Sequence, residues 1–252
     1  MAWDMLTRCE IQHLGDSALI VSWPGCGAEQ ASQNVLWLQH TVQLDSAQVD
    51  SDQLPGANPF EGSVPAAESL TLYYNPLRHS WKEIQLWLQT VLQGTELIPK
   101  YSPRILEIPV CYGHDFAPDL PELAQSCGLS TDAVVRLHSQ AEYRVQMIGF
   151  SPGFPYLAGL PDQLVTPRKR VPRLKVPAGS VAIGGRQTGI YSMETPGGWN
   201  VIGRTPVRLF RPEQDTPCLL AAGDIVRLRA IRIEEFSDCV ERVVLPTEFK
   251  KR

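Results

Sequence analysis

The stretch SVAIGGRQTGIYSMETPGGWNVIG, residues 180–203, is made of short runs of β-branched and aromatic residues that glycine or proline interrupts every few positions. Such runs are too short for helices and are typical of strands joined by tight turns. Comparable runs lie on both sides of it, at residues 104–112, 142–150, 206–210 and 224–231. Closely spaced strands of this kind predict an antiparallel β-barrel or sandwich in the later part of the chain.

Two short helices are predicted within this β-rich part. The first spans residues 119–127, where Asp119 and Glu122 have the spacing of a capping box and Gly128 is placed to end the helix. The second follows Ser130, whose hydroxyl is expected to cap it, and runs to His138.

The first hundred residues alternate between strand and helix patterns. Residues 9–15 and 17–23 are predicted to form two strands, and residues 27–42 a helix with apolar side chains on one face. Residues 44–67 are rich in Ser, Asp, Gln, Gly and Pro, which predicts a long surface excursion. A further strand is expected over residues 68–75.

The most regular helical pattern follows that strand. Apolar residues step by four and three positions, the spacing of an amphipathic helix, at Leu77, Trp81, Ile84, Leu88 and Val91. Asn75 is the predicted N-cap, Pro76 lies in the first turn, and Gly94 is the predicted terminator. Together these elements predict a small α+β domain over residues 1–100, followed by the β-rich domain over residues 104–252.

The composition excludes several classes of function. The net charge of −4 gives no general attraction to nucleic acid or to an anionic membrane. Neither a signal peptide nor a membrane-spanning segment is expected, because no apolar run has the required length. The six cysteines lie far apart and no two histidines have metal-ligand spacing, so a cytoplasmic protein with reduced thiols and no metal site is expected.

Gly149, Ser151 and Gly153 match the G-x-S-x-G pattern of a nucleophile elbow. The elbow needs a backbone N–H from the residue after the serine, but that residue is Pro152, which has none. A following helix is also unexpected, because Pro155 comes three residues later. Ser151 is therefore predicted not to be a catalytic nucleophile.

Three stretches are candidate binding segments, and each also has a purely structural interpretation. The glycines of residues 179–189 fit either an anion-binding loop or tight turns of a barrel. The cations of residues 167–177, interleaved with prolines, fit either a stiff anion-binding row or a solvated loop. Residues 194–205 fit either a groove floor or a turn packed on Trp199. For His114 and His138, a surface or core-edge position is favoured over a role as general base.

Three strings, taken in order, make the chain recognisable: GFSPGFPYLAGLP, PRLKVPAGSVAIGGRQTGIYSMETPGGWNVIGRTPVRLF and LLAAGDIVRLRAI. They resemble the KipI / allophanate-hydrolase-subunit-1 family over nearly the whole chain. The resemblance implies an α+β fold, with a ferredoxin-like N-terminal domain followed by a cyclophilin-like antiparallel β-barrel. Residues 44–67 look longer than the family's connection, and Ser192-Met193 replaces a segment that often contains proline.

Within the family, the chain is most similar to the bacterial 5-oxoprolinase branch. The resemblance implies ATP-dependent hydrolysis of the lactam 5-oxoproline to glutamate, with ATP and Mg as co-substrate and subunits A and C as partners. The alternative that the family offers is a regulatory protein that inhibits a histidine kinase. Urea carboxylase chemistry is disfavoured, because the 252 residues contain no biotin-carrier segment.

On this resemblance, Lys175, Arg186 and Arg204 are predicted to contact anionic groups of the ligands. The further residues expected to bind substrate or nucleotide are Arg173, Pro177, Gly179, Gly184, Gly185, Gln187, Thr188, Gly197, Gly198 and Trp199.

Overall fold

A computed structural model describes residues 9–43, 58–93 and 103–239. By its contacts the chain divides into two compact units, Met1–Ser102 and Pro103–Arg252. In the described part, no helix is long and apolar enough to cross a membrane.

The first unit is a four-stranded antiparallel sheet with two helices. Its elements are β1 (Glu10–Leu14), β2 (Ala18–Ser22), α1 (Ala28–Gln43), β3 (Phe60–Pro65), β4 (Ser69–Tyr74) and α2 (Trp81–Gln93). The strand order is β1-β2-β4-β3, so β4 lies between two strands that flank α1 in the chain. This is the split β-α-β core of a ferredoxin-like fold, with β1 in the outer position beside β2.

Alternate residues of the strands and one face of each helix form the core of this unit. Leu19 and Val21 on β2 and Leu70 and Leu72 on β4 are fully buried. They pack in one cluster with residues of both helices, among them Leu38. The predicted period of two in the strands and the predicted apolar faces of the helices are confirmed.

Two predictions for this unit are wrong in part. β3 lies inside the predicted excursion, of which residues 44–57 lie outside the described residues.

The second helix begins one turn later than expected, because Ser80 and Glu83 form a reciprocal cap there, with the Ser80 N–H donating to Glu83 at 2.7 Å. Asn75 forms a turn instead, and Leu77 is 95% exposed. The predicted terminator Gly94 lies outside the described residues.

The second unit is built around a closed barrel. Its elements are β5 (Ile105–Cys111), α3 (Leu120–Ser126), α4 (Thr131–Gln140), β6 (Glu142–Ile148), β7 (Pro155–Ala158), β8 (Arg173–Val176), β9 (Ser180–Gly184), β10 (Gln187–Ile190), β11 (Thr195–Gly197), β12 (Asn200–Arg204) and β13 (Ile225–Ile231). The barrel order is β10-β7-β6-β13-β5-β12-β9, while β8 and β11 pair as a separate ribbon. The predicted barrel is confirmed.

The barrel departs from the predicted pattern at two places. β13 pairs with β5 in parallel, from Ile225 opposite Ile105 to Ile231 opposite Cys111. Residues 206–210, predicted as a strand, form one isolated bridge at Phe210. Val207 is buried as a strand residue would be, but its N–H bonds to the Thr205 hydroxyl at 3.1 Å rather than to a neighbouring strand. The alternation of apolar residues over 206–210 therefore reflects their burial and not pairing with a neighbouring strand along the whole segment.

A hydrogen-bonded polar chain lies inside the second unit. The Tyr112 hydroxyl contacts His138 Nδ1 at 2.8 Å, and His138 Nε2 contacts the Thr188 hydroxyl at 2.7 Å. The Tyr143 hydroxyl donates to the backbone carbonyl of His138 at 2.8 Å. Burial lowers the pKa of His138 to about 3, so its ring is neutral at physiological pH. His138 is therefore a fully buried core residue, deeper than the surface or core-edge position expected for it.

Candidate functional site

A cleft of about 310 Å³ opens between the loop after β6, the loop before β8 and the end of β11. Its walls are Phe150, Phe154, Tyr156, Arg168, Lys169, Pro172, Tyr191, Pro196, Gly197, Gly198 and Trp199. The volume is near the lower end of the range for small-molecule sites, about 300–1000 Å³. Five aromatic rings, two cations and bare glycine backbone thus line one concavity.

Phe154 is the centre of the aromatic wall. Its ring makes edge-to-face contacts with Tyr156 at 5.0 Å, Tyr191 at 5.2 Å and Trp199 at 5.7 Å between centroids. Two predicted glycines make this packing feasible. A Cβ on Gly184 would lie 2.5 Å from the Trp199 ring, and one on Gly197 would lie 2.2 Å from the Tyr191 hydroxyl.

The loop between β6 and β7 places Phe150 at the mouth of the cleft. Phe150 has a φ of +65°, a left-handed conformation that is uncommon for a bulky residue, and its side chain is 62% exposed. The loop is held by a bond from the Ser192 hydroxyl to the Pro152 carbonyl at 2.6 Å. After Ser151 the chain enters β7 rather than a helix, so the elbow geometry is absent, as predicted.

Asp119 anchors the basic segment that forms another wall. Its buried carboxylate accepts bonds from the Arg173 guanidinium at 2.7 and 2.8 Å, from Lys169 Nζ at 2.9 Å and from the Val201 N–H at 2.7 Å. Burial alone would raise the pKa of this carboxyl, but the bonds from Arg173, Lys169 and Val201 outweigh it and the pKa is lowered.

The predicted capping box at residues 119–122 is therefore wrong. The Asp119 side chain makes no cap bond to α3, because Lys169, Arg173 and the Val201 N–H occupy it. Glu122 instead pairs with Lys169 Nζ at 2.8 Å. A local spacing rule is overridden here by ion pairs between residues about fifty positions apart.

The basic segment is fixed by backbone contacts as well. The Lys169 N–H donates to the Gly198 carbonyl at 2.7 Å, and the Asn200 amide donates to the Pro167 carbonyl at 2.9 Å. Arg168, between these two anchors, has its guanidinium carbon 5.6 Å from the centroid of the Trp199 ring. This cation–π geometry holds a positive charge over the floor of the cleft.

None of the three cations predicted to contact anions lines this cleft. Lys175 pairs with Glu194 at 3.2 Å, and Arg186 pairs with Asp162. Arg204 donates to the Ala178 carbonyl at 2.9 Å, with its guanidinium over the Phe116 ring. That these three residues contact anionic groups of a ligand stays a prediction, and such a ligand would lie outside this cleft.

The remaining predicted residues fall into three groups. Those that line the cleft are Gly197, Gly198 and Trp199. Arg173 and Gly184 act behind its walls, as described above. The others make structural contacts in the barrel or its turns: Pro177 and Gly179 in the β8–β9 turn, Gly185 in the β9–β10 turn, Gln187 bonded to Gln146 at 2.9 Å, and Thr188 in the buried chain with His138.

Sequence reasoning missed Asp119 as part of the site and, apart from Trp199, the aromatic residues of the cleft walls. A signal was present in the string GFSPGFPYL, where Phe150, Phe154 and Tyr156 follow one another closely among prolines and glycines. Within the described ranges, no group of three His, Cys, Asp or Glu side chains could hold a metal ion.

Residues 9–220 match the family model of the carboxyltransferase domain, subdomain C and D. Similar proteins include the 5-oxoprolinase B subunits of Bacillus subtilis and of Escherichia coli O157:H7. Identity to the Bacillus protein is 39%, over 92% of this chain and 95% of that protein. Identity to the Escherichia protein is 46%, over 78% of this chain and 85% of that protein.

Among solved structures, TTHA0988 matches with a TM-score of 0.68 and 38% identity, over 85% of this chain and 40% of that one. The resemblance expected from the sequence is confirmed by these matches. The protein belongs to the carboxyltransferase C and D subdomain family that includes these 5-oxoprolinase B subunits.

Proposed function

We propose that the chain is one of the B subunits of ATP-dependent 5-oxoprolinases and that it acts with subunits A and C in the cytoplasm. The complex would cleave 5-oxo-L-proline to L-glutamate while ATP is hydrolysed to ADP and phosphate. The observation that carries the proposal is the 39% identity to a 5-oxoprolinase component over 92% of this chain.

The chemistry explains why ATP is needed. Amide resonance makes direct attack of water on the lactam carbon slow. Transfer of the γ-phosphoryl group to the lactam oxygen breaks the bond to ADP and makes the ring carbon electrophilic. Water then adds to that carbon, the C–N bond breaks as the nitrogen takes a proton, and a second water releases phosphate from the acyl phosphate. ATP as its magnesium complex is the proposed co-substrate.

The aromatic cleft is the proposed site for the lactam. 5-Oxoproline is a small ring with two apolar methylenes, one amide and one carboxylate. The more exposed rings of the cleft, Phe150 and Tyr156, suit the ring, and the positive charge of Arg168 suits the carboxylate. Bare backbone at Gly197 and Gly198 allows close approach of a ligand.

Exposed apolar side chains beside the cleft support a partner subunit on this face. Val171 is 80% exposed and Leu174 is 87% exposed, on either side of the cleft residue Pro172. Aliphatic side chains left in water next to a site are typical of surfaces that another protein covers.

The test is glutamate release from 5-oxoproline and ATP by this protein mixed with subunits A and C, with each of the three proteins omitted in turn. We expect release to require all three. No release from a complete and stably assembled mixture would overturn the proposal and favour the histidine-kinase inhibitor.

A further inference from the structure

The cations around the aromatic cleft differ in what neutralises them. Lys169 pairs with Asp119 and Glu122, and Arg173 pairs with Asp119. In the part of the chain that the structure describes, no carboxylate lies within ion-pair distance of Arg168, whose guanidinium rests over Trp199. Arg168 is thus the cleft's uncompensated charge, and an anionic ligand would supply the missing partner.

Tyr191 supplies a neutral hydrogen-bond donor to the same cleft. Its ring is buried, and the backbone N–H of Trp199 lies near the phenol oxygen, which takes part in no hydrogen bond in which it donates its proton to the described chain. The absence of a side chain at Gly197 is what lets the hydroxyl reach this position, since a Cβ would lie 2.2 Å from it. Within the described chain, the phenol's own proton is therefore available to a ligand oxygen.

We propose that this cleft binds a lactam carboxylate through two named contacts, with Arg168 pairing to the carboxylate and the Tyr191 hydroxyl donating to the lactam carbonyl oxygen. The assignment rests on the proposed function and gives the substrate its orientation. A hydrogen bond from Tyr191 uses one lone pair of the carbonyl oxygen and leaves the other for attack on phosphorus. The aromatic faces bind the methylene side of the ring.

Arg168 acts in this scheme as the residue that selects for a carboxylate. A substrate analogue without that group, 2-pyrrolidinone, keeps the lactam and the ring but has nothing to pair with Arg168. Loss of the guanidinium should therefore weaken the binding of 5-oxoproline and leave the binding of 2-pyrrolidinone unchanged.

The experiment measures kcat and KM for both lactams with the complete mixture of this protein and subunits A and C. Arg168→Ala is expected to raise KM for 5-oxoproline about 10- to 100-fold, with little change for 2-pyrrolidinone. Arg168→Lys should recover part of the loss, because it restores charge without the planar fork. The matched control is Arg170→Ala, an exposed cation two positions away that does not line the cleft and should leave KM for 5-oxoproline unchanged.

Direct binding separates this inference from the proposed function. Calorimetric titration of 5-oxoproline into the same mixture without ATP should show binding that Arg168→Ala weakens by the same factor. Glutamate release with no change of KM in Arg168→Ala would overturn the inference alone. Binding that depends on Arg168 without any glutamate release would overturn the function alone. A mixture with neither binding nor release would overturn both, and equal losses for the two lactams would overturn the carboxylate contact.

Discussion

His138 and Arg168 are both polar residues set against aromatic rings in the barrel unit, yet their surroundings differ. Both ring nitrogens of His138 are bonded to hydroxyls inside the protein, and the residue has no exposed surface. The guanidinium of Arg168 lies in an open cleft over Trp199, with no acid beside it in the described chain. A polar group that is bonded inside the protein stabilises the fold, whereas a charged group in a cleft without an ion-pair partner is a candidate to bind a ligand. The comparison predicts that changes at the interior group alter stability and that changes in the cleft alter binding.

The largest stability effect is expected for His138→Ala. The substitution opens a cavity, leaves the Tyr112 hydroxyl without its partner and leaves the Thr188 hydroxyl with the Ala182 carbonyl alone, for a loss of about 3 kcal/mol in the free energy of unfolding. Urea unfolding of the isolated chain measures it. Gln140→Ala, an exposed position on the same helix, should change stability by less than about 0.5 kcal/mol. Equal losses in the free energy of unfolding for the two variants would show that His138 does not stabilise the fold in this way.

Asp119→Ala should affect both stability and the cleft. It leaves Arg173 and the Val201 N–H without their acceptor and Lys169 with Glu122 alone, and a loss of about 2 kcal/mol is expected, since the two cations are partly exposed and regain water. The loss of the Asp119 bonds to Lys169 and Arg173 should also loosen the segment that holds Arg168 and raise KM for 5-oxoproline.

The control for Asp119 is Asp162→Ala, which breaks the exposed pair with Arg186. Exposed pairs contribute little, so a loss below about 0.5 kcal/mol and an unchanged KM are expected. The role of Asp119 as a positioning residue would be refuted by an Asp119→Ala enzyme that loses stability but keeps the wild-type KM.

The smallest stability effect is expected at Phe150, and in the opposite direction. Asn tolerates a φ near +65° better than Phe, so Phe150→Asn should raise the free energy of unfolding by at most about 1 kcal/mol. The same change removes the aromatic mouth of the cleft and should weaken 5-oxoproline binding several-fold. Thermal unfolding and titration calorimetry measure the two effects.

An aromatic-to-Asn change in an ordinary strand is the matched control. Tyr73 is 43% exposed in β4 and has extended backbone, so Tyr73→Asn should lower stability through poorer strand propensity. If Phe150→Asn lowered the stability instead, the left-handed backbone conformation of Phe150 would not be a source of strain.

Local patterns were enough to predict much of the fold. The strand at 180–184 and the cap at Ser130 depend on neighbouring residues, and both are present, with the Ser130 hydroxyl accepting from the Ala133 N–H at 3.2 Å. The predictions that were wrong involve competition with distant or alternative partners. Ser80 replaced Asn75 as the cap of α2, and Asp119 bonds to Arg173, 54 positions away, rather than to its own helix.

The candidate site was harder to predict for the same reason. Residue type marked Lys175 and Arg186 as cations, but their acid partners, Glu194 and Asp162, could not be assigned from spacing. What distinguishes Arg168 is the lack of such a partner in the described chain, and this is visible once the chain is folded.

The most direct test of the account is KM for 5-oxoproline in the assembled Arg168→Ala enzyme, measured beside the thermal unfolding temperature of the variant chain. We predict a KM raised about tenfold or more and an unfolding temperature within about 2 °C of the wild type. An unchanged KM, or a fall in unfolding temperature as large as that of His138→Ala, would contradict the distinction between His138, which stabilises the fold, and Arg168, which binds the ligand.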